Sequence, residues 1–163
     1  MVEVLVAHLG LDRTTNSPVV ILREKEGAGV LPIWIGPAEA SAIAMEMQGV
    51  KAPRPMTHDL LKQVLVGMGA TLKRVNISAV KERTYFAELL VQREERVYQF
   101  DARPSDSIAL ALRLQAPIYA DASLLDQTVT APGDAPSPPT LDADQLRQHL
   151  ERMDPQDFGR FTP

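Results

Sequence analysis

Two short stretches of the chain each gather several kinds of reactive side chain. "RPMTHD" (54–59) contains Arg54, Thr57, His58 and Asp59, and "FDARPSD" (100–106) contains Asp101, Arg103, Ser105 and Asp106. Both pass through an Arg-Pro pair and run into a helix-like segment. These residue types suit phosphodiester chemistry. Arginine forks match phosphate geometry and offset charge added in a transition state. Histidine's unperturbed pKa lies near neutrality, where general acid–base catalysis is efficient. Carboxylates can orient an imidazole or, as Asp101, Asp106 and Glu39, offer oxygen ligands to a divalent cation such as Mg²⁺ or Mn²⁺. In this scheme Arg54 and Arg103 hold phosphate and His58 is the acid or base. Asp59, Asp101 or Asp106 orients the histidine or binds the cation, while Thr57 and Ser105 touch substrate.

Plain structural roles compete with each of these. Asp106 falls in the first turn of a helix, where a carboxylate favours the macrodipole by about 0.3–1 kcal/mol. Thr57 fits an N-cap and Asp59 a first-turn acid. Asp101 and Arg103 share a strand face, so they can simply be an ion pair at the strand–helix corner. His8 lies in an apolar strand and reads as a core or edge histidine. Glycine-rich phosphate loops, HExxH, GxSxG and EF-hand patterns do not occur.

The elements that must position these residues repeat. Apolar, β-branched runs predict strands at 2–11, 19–25 and 30–35, with turn clusters at 14–18 and 27–29. Pro32 marks the third as an edge or bulged strand. A helix from Pro37 to Met47 follows, with Ala40, Ile43, Ala44 and Met47 on one face. After the loop at 49–56, a helix starts at Thr57 and closes at Gly67 and Gly69. Strands near 70–78, 84–92 and 96–102 come next, with "REER" (93–96) as a hairpin tip. A Pro-started helix at 104–115 and a short strand at 117–120 complete the run.

A shift of 67 residues aligns "PAEASAIAMEMQG" with "PSDSIALALRLQA" without a gap. Glu39 then falls on Asp106, whereas Trp34 and Gly36 stand where the second copy has Asp101 and Arg103. The pattern predicts a single α+β domain over residues 1–126, built from two β-β-β-α repeats (2–69 and 70–126) with a pseudo-twofold. Its sheet should be mainly antiparallel or mixed, with its Ala-rich helices packed together. Residues 127–140 read as a Pro-rich linker, and 141–163 as an amphipathic helix and tail that docks on its own domain or another subunit.

Composition narrows the classes. With no cysteine, thiolate metal sites, disulfides and a cysteine nucleophile are excluded, and a cytoplasmic location is expected. No apolar run reaches the ~20 residues of a membrane span, and the first residues lack a signal peptide's basic start. The net charge of −4 is concentrated in the tail: residues 1–126 hold 14 basic and 15 acidic side chains, and 127–163 hold 3 and 6. A near-neutral domain can bind nucleic acid only through a local site.

"LPIWIGPAEASAIAMEMQG", "RPMTHDLL" and "DARPSDSIALALRLQAPIY", in that order, resemble the bifunctional nuclease domain. Ser107 departs from the more usual alanine. The resemblance covers about residues 2–126 and implies a hydrolase that cleaves DNA and RNA. It implies no agreed catalytic set, so the roles above rest on chemistry. The alternative is a non-catalytic binding or oligomerisation module, and a homo-oligomer, most simply a dimer, is expected under either reading. Because both repeats and every reactive motif precede the linker, truncation after Asp126 should leave a cooperative thermal transition with a modestly lower midpoint. Loss of that transition on calorimetry would show that the 141–153 segment completes the core.

Overall fold

The structure is a computed structural model, and it describes residues 1–82 and 84–125. Its strands are β1 (Val2–Leu11), β2 (Pro18–Glu24), β3 (Val30–Trp34), β4 (Ala70–Lys81), β5 (Thr84–Arg93), β6 (Arg96–Ala102) and β7 (Ile118–Ala120). Three helices, α1 (Pro37–Met47), α2 (Thr57–Gly67) and α3 (Pro104–Leu114), lie between them. All seven strands form one sheet in the order β3-β2-β1-β7-β4-β5-β6. Every neighbouring pair is antiparallel except β4 with β7. The fold is therefore α+β with a mixed, mainly antiparallel sheet, as the strand pattern predicted. β7 joins the two three-stranded flanks, and β3 with its Pro32 lies at one edge, where a missing N–H costs no ladder bond. At the β5–β6 tip Arg93 pairs with Arg96, and Glu94 takes a left-handed φ of 54°.

One face of the sheet makes the core. Val4, Val20, Leu22, Leu31, Ile33, Val75, Ile77, Ala87 and Val91 point to Ala40, Ile43 and Ala44 of α1 and to Ile108, Ala109 and Ala111 of α3. Small alanines on both helices permit the close α1–α3 packing. Each fully buried Leu, Ile or Val is worth about 1.5–3 kcal/mol, so this face dominates stability. Met47, expected on the same stripe, is instead exposed in the last turn of α1, which is flanked by an open groove lined by Met45, Glu46 and the 50–55 loop. On the opposite face the register aligns Glu3, Tyr119, Asn76, Glu88 and Asp101 in a polar row. No helix among the described residues covers that row.

Helix α2 is held differently. It packs on α3 and β4, yet none of its side chains is fully buried, and Leu60, Leu61, Val64 and Met68 around it face outward. Polar contacts supply its anchor. The buried Arg113 of α3 donates Nε to Asp59 Oδ1 at 2.6 Å and Nη1 to the carbonyls of Ala42 and Ala109 at 3.1 and 3.0 Å. Lys62 Nζ donates to the Arg113 carbonyl at 2.8 Å. Thr57 does not cap the helix. Met56 is the N-cap residue, because the Asp59 carboxylate reaches back to accept its N–H at 3.0 Å while its carbonyl accepts the Leu60 N–H at 2.8 Å.

The Arg113 guanidinium, and next the Met56 N–H, hold the Asp59 carboxyl below the usual carboxylate range. A lowered folded-state pKa stabilises the protein above the unfolded value near ~3.9, and that contribution is lost as pH falls through the folded value. Asp59→Asn leaves a buried guanidinium without its counter-charge. It should cost about 3 kcal/mol at pH 7 in urea denaturation, with the gap from wild type closing below about pH 4. An equal deficit at all pH values would show that Asp59 acts through capping alone.

Candidate functional site at three helix starts

The first turns of α1, α2 and α3 come together around Arg103. This residue ends the β6 extension as the N-cap of α3, with Pro104 at the first helical position fixing the entry. Its guanidinium makes a two-pronged contact with Asp106, Nε to Oδ2 at 2.7 Å and Nη2 to Oδ1 at 3.2 Å. The remaining nitrogen, Nη1, lies 2.9 Å from Glu39 Oε1 in the first turn of α1. His58, in the first turn of α2, places Nε2 3.0 Å from Asp106 Oδ1. Two segments 48 residues apart in the chain thus share one carboxylate.

Gly36 makes room for this arrangement. It is the N-cap of α1, and a β-carbon there would strike the Glu39 carboxylate that reaches toward Arg103. Ser107 is fully buried and satisfied, donating its hydroxyl to the Arg103 carbonyl at 2.9 Å, so the departure from alanine pins the same corner.

Electrostatics fix the protonation of the centre. Burial opposes ionisation of Asp106, but hydrogen bonds from Arg103 and then His58, with the charge of Arg103, outweigh it and lower its pKa. An ionised Asp106 can only accept, so His58 Nε2 carries the hydrogen and donates. In neutral His58 the lone pair therefore belongs to Nδ1. Asp106 in turn raises the pKa of Arg103, whose side chain is 66% exposed while that of His58 is 12% exposed.

Not every candidate joins this group. Asp59 turns instead to Arg113, in the last turn of α3. Asp101 pairs in register with Glu88 on the uncovered face of the sheet and makes no ion pair among the described residues. The expected Asp101–Arg103 pair does not form, because the Arg103 guanidinium is taken up by Asp106 and Glu39. Arg54 is exposed in the loop before α2, with Thr57 exposed beside the cluster and Ser105 buried next to it. No three His, Asp or Glu side chains gather at metal-binding spacing among the described residues. Glu39 and Asp106 both rest on Arg103, so as placed they form no ready ligand set for Mg²⁺ or Mn²⁺. Arg113 was missed from sequence. Its only signal was a cation inside the apolar run "IALALRL".

Polar side chains converging where helices begin, on one side of a mixed sheet, define an α+β fold with a charged corner at those helix starts. The chain belongs to the bifunctional nuclease domain family, whose model matches residues 20–132 and so takes in Glu39, His58, Arg103 and Asp106. An uncharacterised protein of Mycobacterium tuberculosis is 40% identical over 164 residues, covering 97% of this chain and 98% of that one. Bifunctional nuclease 2 of Oryza sativa subsp. japonica is 30% identical over 118 residues, and bifunctional nuclease 1 of Arabidopsis thaliana 29% over 105. Those alignments cover 70% and 62% of this chain but only 36% and 32% of the plant proteins.

Proposed function

We propose that this protein is a nuclease that hydrolyses phosphodiester bonds of DNA or RNA at the His58–Asp106–Arg103 corner. The contact between His58 and Asp106 carries the reading, since it unites the two Arg-Pro motifs. Asp106 holds the imidazole with Nδ1 free to take a proton from water. The resulting oxygen nucleophile bonds to phosphorus, the bond to the leaving sugar oxygen breaks, and that oxygen takes up a proton. Arg103, positioned by Glu39, stabilises the charge gathered on the phosphoryl oxygens. Arg54 contributes a second cation from the loop, and Thr57 and Ser105 flank the substrate. Asp59 acts by placing α2, and Asp101 lies outside the reacting group. We infer a cytoplasmic setting from the lack of cysteine; among the described residues no helix is long and apolar enough to cross a membrane.

His58→Ala and Arg103→Gln should each lower cleavage of single-stranded DNA and RNA by ~10²-fold or more. Arg103→Gln, at an exposed side chain, should keep stability within about 1 kcal/mol. Asp101→Asn serves as the comparison and should keep most activity. Undiminished cleavage by His58→Ala protein, with or without chelator, would sink this reading.

The outward face of α2 supports self-association beside catalysis. Leu60, Leu61, Val64 and Met68 form an apolar stripe without a partner among the described residues, and a twofold contact would set that stripe against itself. Light scattering should report a dimer for the wild type and a monomer for Val64→Lys; a monomeric wild type would remove the argument.

A further inference from the structure

We infer that a cleft beside Arg103 is a nucleobase subsite in which a base of a single-stranded nucleic acid stacks on Trp34. This rests on the nuclease reading above and specifies how that site would grip its substrate. The cleft has a volume of about 270 Å³ and is lined by Trp34, Gly36, Glu39, Tyr85, Arg103 and Ser105, among others. It therefore opens directly onto the guanidinium that touches Asp106.

Three features suit it to a flat, neutral, hydrogen-bonding group. First, Trp34 is 52% exposed at the end of β3, a large apolar surface that folding leaves in water. Its orientation is nonetheless fixed, because Nε1 donates to Asp12 Oδ2 at 2.9 Å. Asp12 is itself set by the turn after β1, where Oδ1 accepts the Thr14 and Thr15 N–H groups at 2.8 and 3.3 Å. An indole held in this way can stack without first losing rotamer freedom. Second, Ser105 is nine-tenths buried, lines the cleft and gives its hydroxyl no partner among the described residues, leaving a donor and acceptor for a base edge. Third, the carboxylates of Glu39 and Asp106 flank Arg103, which makes the cleft poorer for a phosphate than for an uncharged ring. Stacking accepts any base, so the subsite would suit a strand of either DNA or RNA.

The chain has one tryptophan, so its fluorescence reports Trp34 alone. With full-length His58→Ala protein, which should bind without cleaving, a short thymidine oligonucleotide should quench that emission. An abasic oligonucleotide of equal length should not. With active protein, Trp34→Ala should raise KM about tenfold and leave kcat nearly unchanged, whereas Trp34→Phe should recover most of the loss. Quenching without any cleavage by wild type would leave the subsite standing and overturn the nuclease reading. Cleavage with unchanged fluorescence and an unchanged KM in Trp34→Ala would overturn the subsite and leave the nuclease. Equal quenching by the abasic strand would also overturn it, since backbone contacts would then explain the signal.

Discussion

The buried guanidinium of Arg113 is the contact on which the placement of α2 depends. That helix has no fully buried side chain, so the hydrophobic effect holds it only weakly. Arg113 supplies what is missing by binding Asp59, while its own carbonyl accepts Lys62. Two further carbonyls, of Ala42 and Ala109, complete its hydrogen bonding and tie α1 to the same point. A buried charge satisfied in this way is costly to leave half paired, which makes the junction directional as well as strong. Asp59 and His58 are neighbours in sequence. Fixing one to Arg113 presents the other to Asp106.

Arg103 has the complementary position at the open end of α3. Its fork is shared between Asp106 and Glu39, so the local charge is −1 when His58 is neutral. A phosphate reaching this arginine must share it or displace a carboxylate. That constraint accords with a near-neutral domain that lacks a long basic stripe. Under the nuclease reading proposed above, stacking on the neighbouring aromatic surface would retain a strand where charge alone would hold it weakly.

The two sheet faces divide the labour of the fold. One is filled by α1, α3 and the apolar sheet residues, and the charged corner lies where those helices begin. The other carries the row from Glu3 to Asp101; beside it Arg74 lies 5.7 Å from the Tyr119 ring, and Asn76 keeps a buried amide oxygen without a partner among the described residues. Asp101 and Asp106 are only five residues apart but belong to these different settings. The strand-to-helix change at Ala102 and Arg103 separates them.

Element type and order could be read from sequence because they follow from local rules: period-two runs made strands, Pro-started Ala-rich runs made helices, and Pro32 marked an edge. Motif order likewise pointed to the family that the comparison supports. Partner choice among charged residues was not local. Sequence alternation put Asp101 beside Arg103, yet Arg103 turned to Glu39 and Asp106 once the strand ended. Thr57 had the chemistry of a cap, but Asp59 reached Met56 first. Arg113 met Asp59 across 54 residues. By itself the sequence determined which segments would be strand or helix and which side chains were able to react. Tertiary structure alone decided which of them met, because a salt bridge or hydrogen bond depends on ångström-scale distance and desolvation, and packing sets both.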